Sequence, residues 1–302
     1  MNIIQVVIAA TIRMSVPIIL GSMACIYSSR VGVVSFGCEG MMATGAFCGA
    51  LAVYYTNNLW LGLLFAVLGG ALISLLHAFL HVTHKVNGTL SGVSINLLGT
   101  AASALVLKIV WKSAGFSPEY RSFTKLSNTF LAKIPVIGPV LADQNILFYI
   151  AIAIVIVSYI VLYKTPFGLR LRMVGENPVA ANSVGINTTR MKYIGVLLCG
   201  ALAGLAGAYL SLARMNRFIL DMSGGRGYVS MVIGDIGGGN PLIAAAISIL
   251  FGFFDCLQSL FQSADTPSQF WMIIPYAFTL IMALVNHKIA RGPAGMGKHF
   301  DD

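Results

Sequence analysis

A few long stretches without a single charge decide what this chain can become. Residues 86–107, 144–163, 193–213 and 266–286 contain no Asp, Glu, Lys or Arg, and 40–76 forms a still longer uncharged run. About 20 helical residues cross the ~30 Å hydrocarbon core of a bilayer, so each of the four is long enough to span alone. Within lipid every backbone N–H and C=O must be paired inside the chain, which leaves helices for runs of this length. Hydrophobic residues make up 57% of the chain and charged residues 10%, against the ~25% charged of a soluble domain. Lipid is therefore the expected solvent for the whole chain.

The 40–76 run is broken near Asn57-Asn58 and reads as two spans, residues 236–254 as another, and residues 1–29 as the first, imperfect because of Arg13 and Pro17. That first run has no basic leader and reads as a retained span, not a cleaved signal. The segment 227–239 is too short for an ordinary crossing. It is bounded by Gly224-Gly225 and Gly237-Gly238-Gly239 and followed by Asn240-Pro241, the mark of a broken helix. The expected fold is all-α: one polytopic integral membrane domain over 1–302, with eight clear transmembrane helices plus one short discontinuous or re-entrant segment.

Charge sets the expected orientation. Lys164, Arg170, Arg172, Arg190 and Lys192 mark 164–192 as cytoplasmic, and Lys288, Arg291 and Lys298 do the same for the tail, 287–302. Alternation then places the N-terminus and the 111–143 loop outside, although that loop also holds four basic residues. The net charge of +9 is scattered over the ends of apolar runs, which argues against a nucleic-acid partner. The five cysteines all lie in apolar segments with no CxxC pair and read as small buried hydrophobes. Gly45-x-x-x-Gly49 and Gly200-x-x-x-Gly204, continued by Gly207, are spaced for close helix contact inside the domain.

Several motifs invite chemistry. Gly292-Pro-Ala-Gly-Met-Gly297-Lys298 has phosphate-loop spacing, but it follows a span instead of a strand, and only a few residues remain for the required helix. His77, His81 and His84 share one helix face at metal-ligand spacing, yet no carboxylate lies nearby to orient them, and no metal is expected. Glu39 and Asp235 are membrane charges that must face protein or water. Glu39 is expected to hold a helix break by accepting from backbone near Gly37 and Gly40; for Asp235, lining a cavity and holding structure weigh equally. With Ser35, Phe36, Asn96 and Asn240 they form the candidate translocation pathway. Phe36, Phe47, Tyr54 and Tyr228 could stack a base, against the commoner fate of core packing.

One polar stretch stands apart, Gly175-Glu-Asn-Pro-Val-Ala-Ala-Asn-Ser-Val-Gly-Ile-Asn187. Asn177 is a good N-cap, Pro178 suits the first helical position and Gly185 is a natural stop. The resulting helix of about two turns is too short to stand alone in water. Ala180 and Ala181 offer a surface without knobs that a partner could approach.

Thr165–Asn187, with Gly200-Ala-Leu-Ala-Gly-Leu-Ala-Gly-Ala208 after it, resembles the cytoplasmic coupling region of ABC-importer permeases for simple sugars, nucleosides and branched-chain amino acids. Within that group, Gly32-Val-Val-Ser-Phe-Gly-Cys-Glu-Gly-Met-Met42 with Gly45-Ala-Phe47 is similar to the nucleoside-type permeases that work with basic-membrane-protein lipoproteins. Gly225-Arg-Gly-Tyr228, Gly239-Asn-Pro241 and Phe251-Gly252 fit the same group. The chain departs from it at Ser35-Phe36-Gly37, where Asn-Ile-Gly is usual, and at Asp235, where an aliphatic residue is usual.

The resemblance implies a permease subunit of the bacterial cytoplasmic membrane, performing no covalent chemistry of its own. It implies an ABC ATPase partner that carries ATP and Mg, with no cofactor bound by this chain. It further implies a second permease subunit, a different chain or a second copy, and an extracytoplasmic substrate-binding lipoprotein. Arg172, Gly175, Glu176, Asn177, Pro178, Ala180, Ala181 and Gly185 would then be the ATPase-coupling residues, and nucleosides the leading solute, with simple sugars behind. The competing class is an ion-coupled secondary transporter using Glu39 and Asp235. A membrane enzyme lacks any paired carboxylates or nucleophile–base set.

Overall fold

The computed structural model describes residues 3–124, 138–261, 268–285 and 292–297. Twelve helices follow one another among the described residues: α1 (Ile3–Arg30), α2 (Cys38–Thr56), α3 (Leu59–Ala78), α4 (Gly88–Trp111), α5 (Gly138–Ala142), α6 (Ile146–Lys164), α7 (Pro166–Glu176), α8 (Pro178–Ser183), α9 (Thr188–Ala208), α10 (Arg226–Ile236), α11 (Pro241–Phe261) and α12 (Ser268–Val285). Among the described residues there is no strand, only an isolated antiparallel bridge between Phe116 and Ile219.

Asparagine starts many of these helices for one physical reason: its side-chain oxygen pairs with a first-turn N–H that has no partner within the helix. Asn58 accepts from Trp60 and Leu61, Asn87 from Thr89 and Leu90, Asn145 from Phe148, and Asn187 from Arg190. The expected break at Asn57-Asn58 falls where α2 ends in left-handed Asn57 (φ 55°) and α3 begins.

Among the described residues, six helices are long and apolar enough to cross a membrane: Ile4–Arg30, Leu59–Thr83, Gly88–Trp111, Ile146–Lys164, Thr188–Met215 and Pro241–Phe261. The expected eight crossings are not reached by that measure. Glycines, Glu39 and two tyrosines dilute α2, which buries most of its residues against protein instead of lipid. The apolar part of α12, Ile273–Val285, is shorter than a full crossing. The span expected at 236–254 begins only at Pro241, because Gly237–Asn240 form the turn between α10 and α11. Both α3 and α9 end in a wider π-helical turn, Phe79–Thr83 and Tyr209–Met215.

Helices α1 and α9 form the centre. They are 61% and 72% buried over their apolar windows, against about a third for α3, α4, α6 and α11. The spaced glycines explain how α2, α3 and α9 come together. A Cβ on Gly45 would lie 2.7 Å from the Gly204 carbonyl oxygen, one on Gly70 2.8 Å from Gly204 Cα, and one on Gly207 2.7 Å from the Ala46 amide. With the hydrophobic drive between helices weak in lipid, this backbone-to-backbone dispersion holds the bundle.

Arg13, the charge that mars the first span, pairs with Asp143 at 2.6 Å. At the same end, residues 115–123 dock on 212–220 through backbone hydrogen bonds, and Tyr120 donates to the Ser211 carbonyl at 3.2 Å. Burial pushes the Tyr120 phenol well above the usual tyrosine range, so it remains a donor. His77 and His81 stack on each other, and their ring nitrogens meet Ser91 Oγ (2.9 Å) and the Val86 carbonyl (2.8 Å). These rings tie α3 to the turn before α4. No group of three or more metal-binding side chains is found among the described residues.

The glycine contacts make a sharp prediction. Gly204→Val would drive a side chain into the α3 backbone at Ala66 and Gly70, with an overpacking cost of about 3 kcal/mol. Gly115→Val, with no atom within 4 Å of its Cβ, is the control. The first should melt well below the parent in detergent, and the second with it. Equal melting temperatures for both would contradict this packing.

Candidate functional site

A polar network surrounds α10. This 11-residue helix starts at Gly225 (φ 79°) without a side-chain cap of its own. Glu39, in the first turn of α2, supplies the cap from another helix. Gly225 N–H donates to Glu39 Oε1 at 2.9 Å, and Gly227 N–H to Oε2 at 2.6 Å. A carboxylate at a helix N-terminus meets the positive end of the dipole as well as unpaired donors. Gly227 must be glycine, since a Cβ there would sit 2.6 Å from Glu39 Cα. The expected acceptor role for Glu39 thus finds its donors in α10, not in the backbone around Gly37 and Gly40.

Asn96, near the middle of α4, closes the arrangement. Its Oδ1 accepts from Gly40 N–H at 2.7 Å, while Nδ2 lies 2.7 Å from the Phe36 carbonyl and 2.8 Å from the Tyr228 hydroxyl. One side chain therefore joins the irregular 31–37 segment, the start of α2 and the first turn of α10. Ser35 is buried with its hydroxyl toward the Cys25 carbonyl at 3.4 Å. Phe47 packs edge-on against Trp111 and Phe218, and Tyr54 against Trp111, so both rings are held in aromatic contacts. Tyr228 remains 42% exposed beside the network.

The other end of α10 carries the opposite charge. Gly238 (φ 59°) and Gly239 (φ 64°) form a Schellman stop, with Gly238 N–H to Asp235 O and Gly239 N–H to Gly234 O. The Arg30 guanidinium, from the last turn of α1, donates to the Gly238 and Gly239 carbonyls and to Tyr163 Oη at 3.1 Å. A cation here complements the negative end of the helix. Asp235 lies in the last turn of α10, half-buried with Ser29 as partner, and so at the far end of the helix from Glu39. Asn240 caps α11 by accepting from Leu242 at 3.0 Å.

The polar stretch 175–187 folds as an elbow of two helices. In α7, Thr165 caps and Pro166 opens the helix; in α8, Asn177 accepts from Ala180 at 3.0 Å and Pro178 opens it. The α7 start carries the same Thr-Pro signal that Asn-Pro gives in α8, and sequence reasoning passed over it. Helix α8 ends in a second Schellman stop at Gly185 (φ 82°), with Gly185 N–H to Asn182 O and Ile186 N–H to Ala181 O. The two alanines do not share a surface: Ala181 is fully buried, and Ala180 faces outward with Val179, Asn182 and Ser183. Gly175 and Pro178 are also buried, whereas Glu176, Asn177 and Gly185 are exposed. Arg172 lies over the Tyr163 ring, 4.9 Å from its centroid.

Replacing Glu39 by Gln leaves one acceptor for two donors, Gly227 buried and Gly225 half-buried. The expected cost is about 2 kcal/mol, with faster amide exchange over 225–236 measured by hydrogen–deuterium exchange. Unchanged exchange there would show that Glu39 does not hold α10.

The sequence matches the family described as the branched-chain amino acid transport system / permease component over residues 7–283. It is 33% identical to the guanosine ABC transporter permease protein NupQ of Bacillus subtilis (strain 168), covering 93% of this chain and 91% of NupQ. It is 35% identical to the nucleoside ABC transporter permease protein NupC of Lactococcus lactis subsp. cremoris (strain MG1363), covering 93% and 92%. A solved metal-chelate type ABC transporter in an inward-facing conformation has a similar fold, with a TM-score of 0.51 at 13% identity, over 94% of this chain and 82% of that one. The chain belongs to the branched-chain amino acid transport system permease family.

Proposed function

We propose that this chain is the permease subunit of an ATP-binding cassette importer for nucleosides, with the elbow α7–α8 as its contact with the ATPase. The observation that carries the reading is α8: a six-residue helix, capped at both ends and turning Val179, Ala180, Asn182 and Ser183 outward. Such a helix cannot form by itself in water, so its two caps and the buried Pro178 and Ala181 hold it in place as a preformed knob. The names of the relatives NupQ and NupC support the nucleoside assignment.

In this reading 164–192 and the tail are cytoplasmic, the 111–143 loop is extracytoplasmic, and α2 and α12 complete eight crossings. The chain performs no chemistry. ATP and Mg belong to the partner ATPase, a second permease subunit completes the pathway, and a substrate-binding lipoprotein delivers solute from outside. Contacts run from the elbow to the polar network. Gly175 packs against the Arg30 carbonyl, Arg172 lies on Tyr163, and Arg30 and Tyr163 together hold the turn after α10. Displacement of the elbow is thereby passed to α10, whose far end, with Tyr228 in its first turn, meets Glu39 and Asn96. Tilting of α10 then alternates access to a pathway beside Tyr228, Asn96 and Phe36.

Ala180→Trp tests the reading. The site is exposed, so the chain should insert and melt like the parent, within about 0.5 kcal/mol. The bulky ring should abolish ATPase association and uptake of labelled guanosine by the reconstituted complex. Normal uptake by this variant would remove α8 as the coupling contact, and glucose competing as well as nucleosides would remove the solute assignment.

A further inference from the structure

The glycine-rich run near the C-terminus has the spacing of a phosphate loop but none of its setting, and the fold gives its amides another use. Gly295 N–H donates to the Gly175 carbonyl at 2.9 Å, Gly297 N–H to the Gly32 carbonyl at 2.8 Å, and Ala294 N–H to Glu176 Oε2 at 3.1 Å. Donors that would cradle an anion in a nucleotide site are here turned onto the elbow and onto the turn between α1 and α2. Three backbones meet at this point at glycines, Gly175 and Gly295 because a Cβ would clash and Gly32 because of its left-handed φ. A Cβ on Gly295 would lie 2.7 Å from Gly175 O and 3.0 Å from Pro178 Cδ. One on Gly32, itself at φ 78°, would lie 3.1 Å from Gly295 O, and one on Gly175 would strike the Arg30 carbonyl.

We propose that residues 292–297 form a clasp that fixes the α7–α8 elbow to the α1–α2 turn, and that Gly295, Gly297 and Glu176 are positioning residues for coupling. The physical reason is leverage. Without the clasp, the elbow meets the α1–α2 turn mainly through Gly175 and could slide along it. With the clasp, Gly175, Glu176 and Gly32 are bonded to one short segment and move together. Arg30, two residues before Gly32, holds the turn after α10. Motion entering at α8 then reaches α10 instead of being absorbed at Asn177-Pro178.

This inference rests on the ATPase reading only for its functional consequence, so the test has two arms. In the first, hydrogen–deuterium exchange on the full chain in lipid nanodiscs, with no partner present, follows the peptide that contains Gly295 and Gly297. Protection of both amides is expected, and exchange at least about tenfold faster in Gly295→Val. Unprotected amides in the parent would overturn the clasp whatever the chain transports. In the second, the reconstituted importer carries either Gly295→Val or a chain ending at Arg291. Both should bind the ATPase and keep basal hydrolysis, while solute moved per ATP hydrolysed falls about tenfold. Glu176→Ala should lower the same ratio and Glu176→Gln, which keeps an acceptor, should restore it. A merely structural role would lower transport and hydrolysis together, and that outcome, or full coupling in both variants, would overturn the positioning role. If the parent itself engages no ATPase, the importer reading fails while the exchange arm still decides the clasp.

Discussion

The structure depends on a pair of opposite charges set at the two ends of one short helix. Glu39 takes the first amides of α10 and Arg30 takes the carbonyls that follow its last turn. Neither residue belongs to α10, and they lie on either side of the irregular segment between α1 and α2. A charge buried in a membrane domain costs roughly 2.5–3.5 kcal/mol even on lenient scales. Here that cost is offset by charge-assisted hydrogen bonds and by a dipole of matching sign at each end. An 11-residue helix bounded by glycines, which by itself has little reason to hold its place, becomes a single unit tied at both ends.

Close packing supplies the frame for that arrangement. The α2, α3 and α9 backbones meet at glycines, so α2 cannot shift without carrying Glu39 with it. Gly40 shows the same economy of space: a Cβ there would fall 2.7 Å from Asn96 Cα, and its amide is held by the Asn96 side chain. The result is a rigid core of a multi-pass protein of the cytoplasmic membrane, with a smaller helix hung in it by electrostatics.

Local chemistry was legible in the sequence and long-range pairing was not. The Asn57-Asn58 break, the Asn177-Pro178 cap and the Gly185 stop can each be read because one residue and its near neighbours determine them. The spaced glycines also announce close approach, although not which helices approach. By contrast, the donors to Glu39 lie 186 and 188 residues away, and no spacing rule reaches that far. Arg13 looked like a flaw in a span because its partner Asp143 lies 130 residues away. The two alanines of α8 looked alike because a six-residue helix has too few positions for a periodic face. Their difference comes from what lies beneath Ala181. The phosphate-like tail shows the reverse failure, a strong local pattern whose meaning is set by the carbonyls it meets.

The central claim is that α10 moves as a unit with the α7–α8 elbow. Spin labels at exposed Val232 on α10 and exposed Leu97 on α4 would report it. In the complex with the ATPase, the distance between them, measured by pulsed electron resonance, should shift between nucleotide-free and ATP-bound states. In Arg30→Gln the shift should vanish, because the guanidinium no longer ties the turn after α10 to the end of α1. Identical distance distributions in both nucleotide states of the parent would contradict the account.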